Sequence, residues 1–462
     1  MKVDYSTTIG KVVEYSGGIL ITGNPERRIS VITTDSRDLG SDNFFIPLVG
    51  EFFDGHDFIE PLANMKSIVG FLTHKSESLY IAEDYDISAI LCEDTQKAFG
   101  KIASIHRDNI DPIVVGVTGT NGKTTTKELL WSILSCKYNT LKNDKNYNNE
   151  VGVPYTLLGL KKDHKVAVIE MGMNHKGEID RLSRITEPDI ALITNIGEGH
   201  LEFLGSVKNV ALAKIEIING MKEGSIIFLN RDTKCYDILA TSALDKGINV
   251  KRFGLSSSAD IFPDSYRLFH DSIEIQYHNE IINIPLYGIH NLYNVIASIA
   301  VAEELGVDLS LIKNALSDFR NVGMRSNVIN RGYIVIDDTY NSNPLSSKFA
   351  LKSVSEIFPE RRKIAVFSDM KELGDSSKAY HIETGELVFK NGFDILCAWG
   401  LMAEDIVKGA RDAGMEMGSA IFFTKKNELI DYILSSIDIN DVILIKGSRS
   451  MKMEEVVDAV IH

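Results

Sequence analysis

The sequence predicts an α/β protein of three domains. From residue 113 onward, short apolar runs alternate with segments of helical periodicity, which indicates mostly parallel sheets covered by helices. The alternation begins again near residue 333, and this restart indicates a separate domain. A length of 462 residues is enough for about three domains of ordinary size. We therefore expect a small α/β amino-terminal domain at 1–108, a central domain with a mostly parallel sheet at 109–324 and a Rossmann-like carboxy-terminal domain at 325–462.

The composition argues against several classes of protein. An apolar content of 44% and a charged content of 24% are ordinary for a globular protein, so disorder is not expected. The formal net charge of -15 argues against a nucleic-acid binder and against a membrane-surface binder. The four cysteines lack paired metal-ligand spacing and are expected to be free thiols. Because the sequence shows neither a signal peptide nor an apolar run that could cross a bilayer, we expect a cytoplasmic protein without membrane insertion.

The first hundred residues contain short strands and turns, with little helical periodicity before residue 95. A segment rich in polar turn residues, from 33 to 59, surrounds several apolar pairs. Within it, Ser36 and Arg37 could be ordinary turn or capping residues, and on their own they indicate no ligand. Asp111-Pro112 then marks a domain boundary, because the residue before a proline disfavours helix.

A strand, a loop and a helix follow this boundary. The apolar, mostly β-branched run 113–117 predicts the strand, and apolar periodicity predicts a helix that begins at Lys123. Thr118 to Gly122 lie between them, and their glycines let backbone amides close around an anion at the positive end of the helix. Lys123 could reach the β- and γ-phosphates, and the Thr124 hydroxyl could hold Mg²⁺. This arrangement predicts a site for a nucleoside triphosphate.

The loop departs from the general phosphate-loop pattern G-x-x-x-x-G-K-[ST]. That pattern would place glycine at position 117, where this chain has Val117, with Gly116 one place earlier. The alternative interpretation is a glycine-rich turn with an incidental lysine. The strand and helix that flank the loop favour the phosphate site.

Two further predicted strands end in polar side chains. Glu170 follows the apolar run 166–169, and His200 lies in a loop after the run 190–194. Because open α/β sheets bind ligands at the carboxyl ends of their strands, we expect both side chains near the phosphate loop. Glu170 could hold the Mg²⁺ that Thr124 also contacts, and His200 could join it. A lone histidine is more often structural, and this alternative stays open.

Three more polar side chains have plain structural interpretations. Periodicity places Lys214 on a different helix face from Glu216 and predicts that Lys214 is solvated. Asn291 and Asn294 lie on the first turn of an Ala-rich helix, where they would either cap the helix or contact a base.

Four strand-then-loop units, separated by helical stretches, occupy the last third of the chain. They begin at Tyr333, Lys363, Asp394 and Asp441 and indicate a doubly wound domain. The polar groups that follow these strands suit phosphate, ribose or peptide contacts, and they include Asp338, Asn341, Asp369, Lys446 and Ser448. No combination of nucleophile, base and acid is evident.

Seven motifs follow one another along the chain: GVTGTNGKTTTKELL, NNEVGVPYTLL, IEMGMNHKGEI, TNIGEGHLEFLGS, ALAKIEI, YGIHNLYNV and DDTYNSNP. In this order they resemble the Mur ligase family of ATP-dependent amide ligases that build peptidoglycan precursors. The resemblance spans nearly the whole chain, and the family loop GTNGKT also accounts for Val117. It implies a UDP-sugar-binding amino-terminal domain, a central phosphate-loop ATPase and a carboxy-terminal ligase domain that closes over the cleft.

Three features resemble one branch of the family. They are the Asn-rich stretch Asn146 to Pro154, the amino-terminal DSR…DGH pattern and SDMKELG, which contains Asp369 to Gly374. This resemblance implies that D-alanyl-D-alanine is joined to UDP-N-acetylmuramoyl-tripeptide through an acyl phosphate. It also implies ATP and Mg²⁺ as cofactors and a monomeric enzyme.

The resemblance implies roles for particular residues. Lys123, His200 and Lys214 are expected to be catalytic, and Lys214 matches a family lysine that is carbamylated and could orient a second Mg²⁺. The nucleotide is expected to contact Gly119, Thr120, Asn121, Gly122, Lys123, Thr124, Thr125, Asn291, Arg325, Asp338 and Tyr340. The metal is expected at Thr124, Glu170, His200 and Lys214, and the UDP-linked substrate at Ser36, Arg37, Asn148 and Asn149.

Other functions remain open. The neighbouring Mur ligase, which adds the third-position diamino acid, shares the amino-terminal pattern but has a motif that resembles D-N-P-R in its last domain, and this sequence lacks that tetrapeptide. A folate polyglutamate ligase shares the central loop but gives no reason for the DSR…DGH domain. A nucleotide-dependent switch would use the same loop without ligase activity. A non-catalytic scaffold would leave the metal and phosphate residues without a purpose.

Overall fold

The computed structural model describes residues 1–37, 42–50, 52–320 and 326–462. Within these ranges the strands form four sheets, of which three have six strands and one has three. The six-stranded sheets follow one another along the chain and define an amino-terminal, a central and a carboxy-terminal part. The predicted α/β class with three such parts is confirmed.

The first sheet and its helices form the amino-terminal part. Its elements are β1 (Lys2–Thr8), α1 (Ile9–Ser16), β2 (Ile19–Thr22), β3 (Arg28–Thr33), β4 (Asn43–Phe45), α2 (Ile59–Asn64), β5 (Ile68–Thr73), α3 (Tyr80–Asp84), β6 (Ser88–Leu91) and α4 (Thr95–Ile110). The strand order is β1-β3-β4-β5-β6-β2. The pairs in the middle are parallel, and the pairs at both edges are antiparallel.

Helix α1 corrects the prediction of little helical periodicity before residue 95. Thr8 Oγ1 accepts a hydrogen bond from the Lys11 backbone N–H at the start of the helix, and Gly17 ends it in the left-handed region. Ile9 and Val12 are its buried apolar residues. A helix of eight residues repeats its apolar pattern too few times for periodicity to reveal it.

The second sheet, in the central part, is entirely parallel and has the order β12-β11-β10-β7-β9-β8. The elements of this part are β7 (Ile113–Thr118), α5 (Lys123–Leu134), β8 (Thr140–Lys142), α6 (Gly152–Leu158), β9 (Val166–Glu170), α7 (Glu178–Thr186), β10 (Ile190–Ile193), α8 (Leu201–Leu204), α9 (Val207–Ile215), β11 (Ile226–Asn230), α10 (Tyr236–Leu244), β12 (Asn249–Phe253), β13 (Ser265–Leu268), β14 (Ile273–Tyr277), β15 (Glu280–Ile284), α11 (Ile289–Glu304) and α12 (Leu309–Ser317). The predicted strands are confirmed as β7, β9, β10 and β11. Because β7 lies between β9 and β10, the carboxyl ends of these three strands meet at one edge.

A small antiparallel sheet, β13-β14-β15, was not predicted. Ile275 of β14 and Ile282 of β15 are buried in the same apolar core as α5 and α11. Between these strands, His278 and Asn279 both have positive φ, as a tight hairpin turn requires. The sheet therefore covers one side of the central part without contributing to the edge where β7, β9 and β10 end.

The last sheet belongs to the carboxy-terminal part and has the order β16-β17-β21-β18-β19-β20. Its elements are β16 (Asn327–Asn330), β17 (Ile334–Asp338), α13 (Pro344–Ile357), β18 (Lys363–Ser368), α14 (Ser377–Lys390), β19 (Ile395–Trp399), α15 (Ala403–Asp412), β20 (Ala420–Phe423), α16 (Lys426–Ser436), β21 (Val442–Lys446) and α17 (Glu454–Ile461). The four predicted strands are confirmed as β17, β18, β19 and β21. The two edge strands, β16 and β20, extend the sheet, and β16 alone runs antiparallel to its neighbour.

Helix α4 holds the amino-terminal and central parts together. It packs on α1 in the first part and on α6 and α7 in the second. Phe99 and Ile102 of α4 belong to one apolar core that continues into both parts. The predicted domain limit at 108/109 falls inside the last turn of α4, and the limit at 324/325 lies outside the described residues. Both limits stay predictions.

Among the described helices, none combines the length and the apolar character that crossing a membrane requires.

Helices α14 and α15 pack closely at two glycines. A Cβ on Gly385 would lie 1.9 Å from the carbonyl oxygen of Ile406, and a Cβ on Gly409 would lie 2.0 Å from the carbonyl oxygen of Ile382. A backbone carbonyl cannot move aside as a flexible side chain can, so a methyl group would force the two helices apart.

Replacing Gly385 by alanine should lower the free energy of unfolding of the carboxy-terminal part by about 1–3 kcal/mol, the usual cost of overpacking. We expect this loss even though alanine favours helix over glycine by about 1 kcal/mol. Urea denaturation followed by circular dichroism would measure it. Gly418→Ala is the control, because a Cβ at Gly418 would meet no atom within 4 Å. An equal midpoint for the two variants would contradict the close helix packing.

Candidate active site

The phosphate loop connects β7 to α5 and packs on the end of β10. A Cβ on Gly119 would lie 1.9 Å from Thr194 Oγ1, and a Cβ on Gly122 would lie 2.3 Å from Asn294 Oδ1. Gly122 also has φ of 82°, in the left-handed region that favours glycine. At both positions a neighbouring side chain lies too close to the backbone for any residue but glycine. The predicted order of strand, loop and helix is confirmed.

Hydrogen bonds fix the apex of this loop. The Asn121 N–H donates to Asn195 Oδ1 at 2.9 Å, and the Asn121 carbonyl accepts from Thr194 Oγ1 at 2.6 Å. Lys123 Nζ donates to the Gly119 carbonyl at 2.8 Å. The ammonium group therefore lies against the loop at the start of α5, where the helix end also favours an anion.

Glu170 ends β9 and is almost completely buried. Its Oε1 accepts from Asn148 Nδ2 at 2.8 Å, whereas its Oε2 has no hydrogen-bond partner among the described residues. The Lys127 ammonium nitrogen lies 4.0 Å from Oε2, too far for a hydrogen bond. Because a buried carboxylate oxygen without a hydrogen bond is costly, a bound cation would satisfy an acceptor that the protein leaves incomplete.

His200 follows β10 and reaches the carboxy-terminal part. Its Nδ1 lies 2.7 Å from Glu372 Oε2. Burial lowers the pKa of His200, the Glu372 carboxylate opposes this shift, and the Lys123 ammonium reinforces it, as does Lys214 when it is protonated. Because the net shift is downward, the imidazole favours the neutral form, which is the form that can bind a metal.

Lys214 contradicts the prediction that it is solvated. Its side chain is completely buried in α9, and its Nζ has no hydrogen-bond partner among the described residues. Burial lowers its pKa well below the usual value, and the charge of Lys123 lowers it further. Glu216 is engaged elsewhere, since its carboxylate accepts from the backbone N–H groups of Gly177 and Asp180 at the start of α7. Lys214 is therefore a buried amine that favours its neutral form.

A pocket lies between the first turn of α11 and the phosphate loop. Asn291 Nδ2 donates to the Tyr287 carbonyl at 2.9 Å, and Asn294 Nδ2 donates to Asn291 Oδ1 at 3.0 Å. Both asparagines are buried, and both line the pocket together with Gly122 and Tyr340. These asparagines therefore stabilise the start of α11 and also line a pocket in which they could contact a ligand.

The opposite wall of this pocket carries a buried ion pair. Lys446 Nζ contacts Asp338 Oδ2, and Ser326 Oγ donates to Asp338 Oδ1 at 3.3 Å. Burial alone would raise the pKa of Asp338, but the charge and hydrogen bond of Lys446, the His290 imidazole and the Ser326 hydrogen bond together outweigh it, and the net shift is downward. Burial lowers the pKa of His290 to about 4. The pocket thus presents a carboxylate and a neutral imidazole, which suit the polar groups of a nucleoside.

A cavity of about 640 Å³ adjoins this pocket and separates the central part from the carboxy-terminal part. We call it the cleft. Lys123, Thr124, Asn148, Glu170 and His200 line its central wall. The opposite wall includes Lys371, Glu372, Ser448 and Arg449. Because the two walls come from different parts of the chain, the shape of the cleft depends on how those parts lie together.

The structure brings most of the predicted site residues to the cleft or to the adjoining pocket. These are Thr120, Asn121, Gly122, Lys123, Thr124, Thr125, Asn148, Glu170, His200, Asn291, Asp338 and Tyr340. Gly119 belongs to the same loop, and Lys214 is near enough to His200 to lower its pKa.

Three predicted residues are not brought there, and a fourth is not among the described residues. Ser36 and Arg37 lie in the amino-terminal part, where the exposed Arg37 pairs with Asp35 at 2.8 Å. Asn149 Oδ1 accepts from the Gly152 N–H at 2.9 Å at the start of α6, so its observed contact is a helix cap. Arg325 lies outside the described residues. The substrate-binding roles of Ser36, Arg37 and Asn149 stay predictions.

Several side chains at the site were not predicted, and three of them lie in motifs quoted above. His290 lies beside the first-turn asparagines, and Glu372 and Asn343 lie in motifs quoted for the family resemblance. The sequence does indicate that Asn343 caps a helix, because asparagine followed by proline is typical of a helix start. The sequence could not show that the partner of Asn343 is a loop 222 residues away.

Comparisons with known proteins agree with this geometry. A model of the Mur ligase middle domain matches residues 117–302, and a model of the Mur ligase, glutamate ligase domain matches residues 324–449. The chain is 34% identical to the UDP-N-acetylmuramoyl-tripeptide--D-alanyl-D-alanine ligase of Bacillus subtilis (strain 168) over 461 residues, which cover 98% of each protein.

Solved structures show the same arrangement. Crystal structure I of MurF from Acinetobacter baumannii matches with a TM-score of 0.90 at 30% identity, over 99% of this chain and 100% of the other. The structure of MurF ligase from Thermotoga maritima in complex with ADP matches with a TM-score of 0.79 at 28% identity, over 93% of this chain and 96% of the other. On the extent of these similarities, the chain belongs to the Mur ligase family.

Proposed function

We propose that the protein is an ATP-dependent ligase that joins D-alanyl-D-alanine to UDP-N-acetylmuramoyl-tripeptide. The observation that carries the proposal is the cleft, in which the phosphate loop and Glu170 face polar loops of the carboxy-terminal part. The full-length relatives from Bacillus subtilis and Escherichia coli are ligases named for these two substrates. The polar side chains of the carboxy-terminal wall could bind a second substrate. A nucleotide-dependent switch would not need such a wall.

The reaction must activate a carboxylate that is a poor acylating agent at neutral pH. An oxygen of the tripeptide carboxylate attacks the γ-phosphorus of ATP, the bond to the β,γ-bridging oxygen breaks, and ADP leaves. The neutral amine of D-alanyl-D-alanine then attacks the acyl phosphate carbonyl, the bond between the acyl carbon and the phosphate oxygen breaks, and phosphate leaves as the nitrogen loses one proton. Lys123 and the start of α5 reduce the repulsion between the carboxylate and the triphosphate. Correct alignment of the reacting groups can contribute about 7–11 kcal/mol.

Magnesium fits the oxygen atoms that the structure provides. Among the described residues, no group of three His, Cys, Asp or Glu side chains could hold a metal by itself. Mg²⁺ commonly binds one or two carboxylates, and phosphate oxygens and waters complete its shell. Glu170 Oε2 and the Thr124 hydroxyl would hold it, with His200 as a softer donor beside them. When bound, Mg²⁺ would neutralise charge on the transferred phosphoryl group.

Lys214 fits the carbamylation that the family resemblance implies. A neutral amine can attack CO₂ to form a carbamate, with the release of one proton, whereas an ammonium ion cannot. The buried Lys214 Nζ favours the neutral form and lacks a hydrogen-bond partner among the described residues. The carbamate would turn this position from a potential cation into an anion near His200, where it would favour metal binding.

The remaining assignments follow from this function. The UDP portion of the substrate would bind the amino-terminal part, with Ser36 and Arg37 among its contacts. D-alanyl-D-alanine would approach from the wall that carries Lys371 and Arg449. A soluble UDP-linked substrate and ATP place the reaction in the cytoplasm. A single chain carries both walls of the cleft, so we propose that the enzyme acts as a monomer.

Removal of the phosphate-loop lysine should abolish most ligation. We expect Lys123→Ala to lower the ligation rate by about 10²- to 10³-fold, the usual loss when one group that stabilises developing charge is removed. Phosphate release in the presence of both peptide substrates would measure the rate. Lys162→Ala, at an exposed lysine of the same part, should keep the native rate. A Lys123→Ala enzyme with near-native turnover would contradict the phosphate-loop assignment.

Removal of the Lys214 amine should lower ligation by about 10- to 100-fold, as expected for a group that orients metal ligands. Because the missing group is a carboxylate on a long arm, added acetate should restore part of the activity of Lys214→Ala and none of that of Lys123→Ala. Lys214→Met keeps most of the buried volume and tests whether the fold tolerates loss of the amine. Full activity of a folded Lys214→Met enzyme would exclude the carbamate.

The acceptor distinguishes this enzyme from its neighbour in the family. D-alanyl-D-alanine with UDP-N-acetylmuramoyl-tripeptide should release phosphate from ATP in stoichiometric amounts. Lysine or diaminopimelate with the UDP-N-acetylmuramoyl-dipeptide should give at most background release. The reverse preference would assign the protein to the third-position ligase, and release that needs no acceptor would indicate a nucleotide switch. Mass spectrometry of the peptide product would identify the new amide bond.

A further inference from the structure

Two asparagine side chains form a reciprocal amide pair across the cleft. Asn121 Nδ2 donates to Asn343 Oδ1 at 3.1 Å, and Asn343 Nδ2 donates to Asn121 Oδ1 at 2.7 Å. Asn121 is the apex of the phosphate loop, and Asn343 is the residue that precedes α13 in the carboxy-terminal part. The two hydrogen bonds therefore join the nucleotide loop directly to the opposite wall.

The Asn343 side chain and the Asn121 backbone are held in place by contacts of their own. The Asn121 backbone is fixed by Asn195 and Thr194, as described above. Asn343 Oδ1 also accepts from the Ser346 N–H at 2.8 Å, and Ser346 Oγ accepts from the Asn343 N–H at 3.0 Å. This reciprocal cap fixes the Asn343 side chain at the start of α13. Asn343 is thus oriented before the pair forms, so only the Asn121 side chain loses freedom when the two parts meet.

The pair lies where the nucleotide pocket meets the cleft. Asn121 lines both, and so does Tyr340, whereas Asn343 lines the cleft. Close packing supports the same contact, because a Cβ on Gly197 would lie 2.4 Å from Leu345 Cδ2, at the start of α13. The start of α13 therefore contacts the phosphate loop where the nucleotide pocket and the cleft meet.

The chemistry of the pair suits this position. A carboxylate here would repel the triphosphate, and an ammonium group would compete with Lys123 for the phosphate oxygens. Two neutral amides link the walls without changing the charge of the site. Neutral hydrogen bonds also make only a modest net contribution in water, so the contact can open and close in each turnover.

We propose that Asn343 is a positioning residue that acts through Asn121. The phosphate loop is already fixed against the end of β10, so the amide pair makes it the anchor for the closed position of the carboxy-terminal part. The pair thereby sets where the groups of the carboxy-terminal wall lie relative to the nucleotide site. The inference rests on the proposed ligase function for its kinetic consequence, but the closure that it describes can be measured separately.

The decisive variant is Asn343→Ser, because it separates the two tasks of the side chain. Serine is a good helix cap, so α13 should keep its start, but its hydroxyl is too short to reach Asn121. The melting temperature should stay within about 1 °C of the native value, since only an exchangeable polar contact is lost. The ligation kcat should fall by about 10- to 100-fold because the reacting groups are misplaced. The KM for ATP should change by less than about threefold, because the nucleotide contacts remain.

Small-angle X-ray scattering supplies a readout that does not depend on catalysis. The radius of gyration of the native enzyme should fall when a non-hydrolysable ATP analogue, Mg²⁺ and the UDP-linked tripeptide are added. Asn343→Ser should show a smaller change. Asn121→Ala should reproduce the effect, and the double variant should lose no more than the more damaged single variant, because both side chains belong to one contact.

Three outcomes would overturn the inference. Native kcat and native contraction in Asn343→Ser would show that the pair is incidental. A lowered melting temperature for Asn343→Ser, with kcat restored on cooling, would show that the residue serves only the fold. Additive losses in the double variant would show that the two asparagines act independently. If the native enzyme contracts with nucleotide but fails to ligate D-alanyl-D-alanine, the proposed function fails while the contraction assay still decides the role of Asn343.

Discussion

Close packing between the phosphate loop and the end of β10 is the constraint on which the rest of the site depends. Gly119 leaves no room for a side chain against Thr194, and Asn195 binds the apex of the loop. In the sheet, Val117 of β7 is opposite Glu170 of β9, and the other neighbour of β7 is β10. A shift of the loop would therefore displace Lys123 relative to both neighbouring strands. The register of the parallel sheet sets the distances on which catalysis relies.

Three lysines near this edge show how burial and partners decide charge. Lys123 donates to a loop carbonyl and can turn to a phosphate. Lys127 is fully buried, but its ammonium lies 3.1 Å from Glu128 and donates to the Asn143 carbonyl at 2.7 Å. Lys214 is equally buried and has no such partner among the described residues. A buried amine needs polar partners, and Lys127 has them in Glu128 and the Asn143 carbonyl, whereas burial without such partners lowers the pKa of Lys214.

The elements that the sequence predicted well are those with strong local signals. The β-branched run before the phosphate loop and the four strand-then-loop units of the last part required only periodicity and their position next to glycines. Lys214 could not be placed in this way, because α9 is buried on more than one side and its polar positions do not define a solvent face. The pairs of Asn121 with Asn343 and of His200 with Glu372 depend on tertiary contacts between distant segments. Local pattern carries no information about such partners.

The two junctions between the parts of the molecule differ in chemistry. Helix α4 joins the amino-terminal and central parts through a continuous apolar core. The contacts of the central part with the carboxy-terminal part include apolar packing by Met370 and Leu373, but also an amide pair, a histidine with a carboxylate and a backbone hydrogen bond, which water can replace at low cost. Movement is therefore less costly at the second junction. The walls of the nucleotide pocket, with Asn291 on one side and Asp338 on the other, come from the two parts that meet there. In a ligase of this design, the movement that admits the incoming amine therefore also opens the nucleotide pocket.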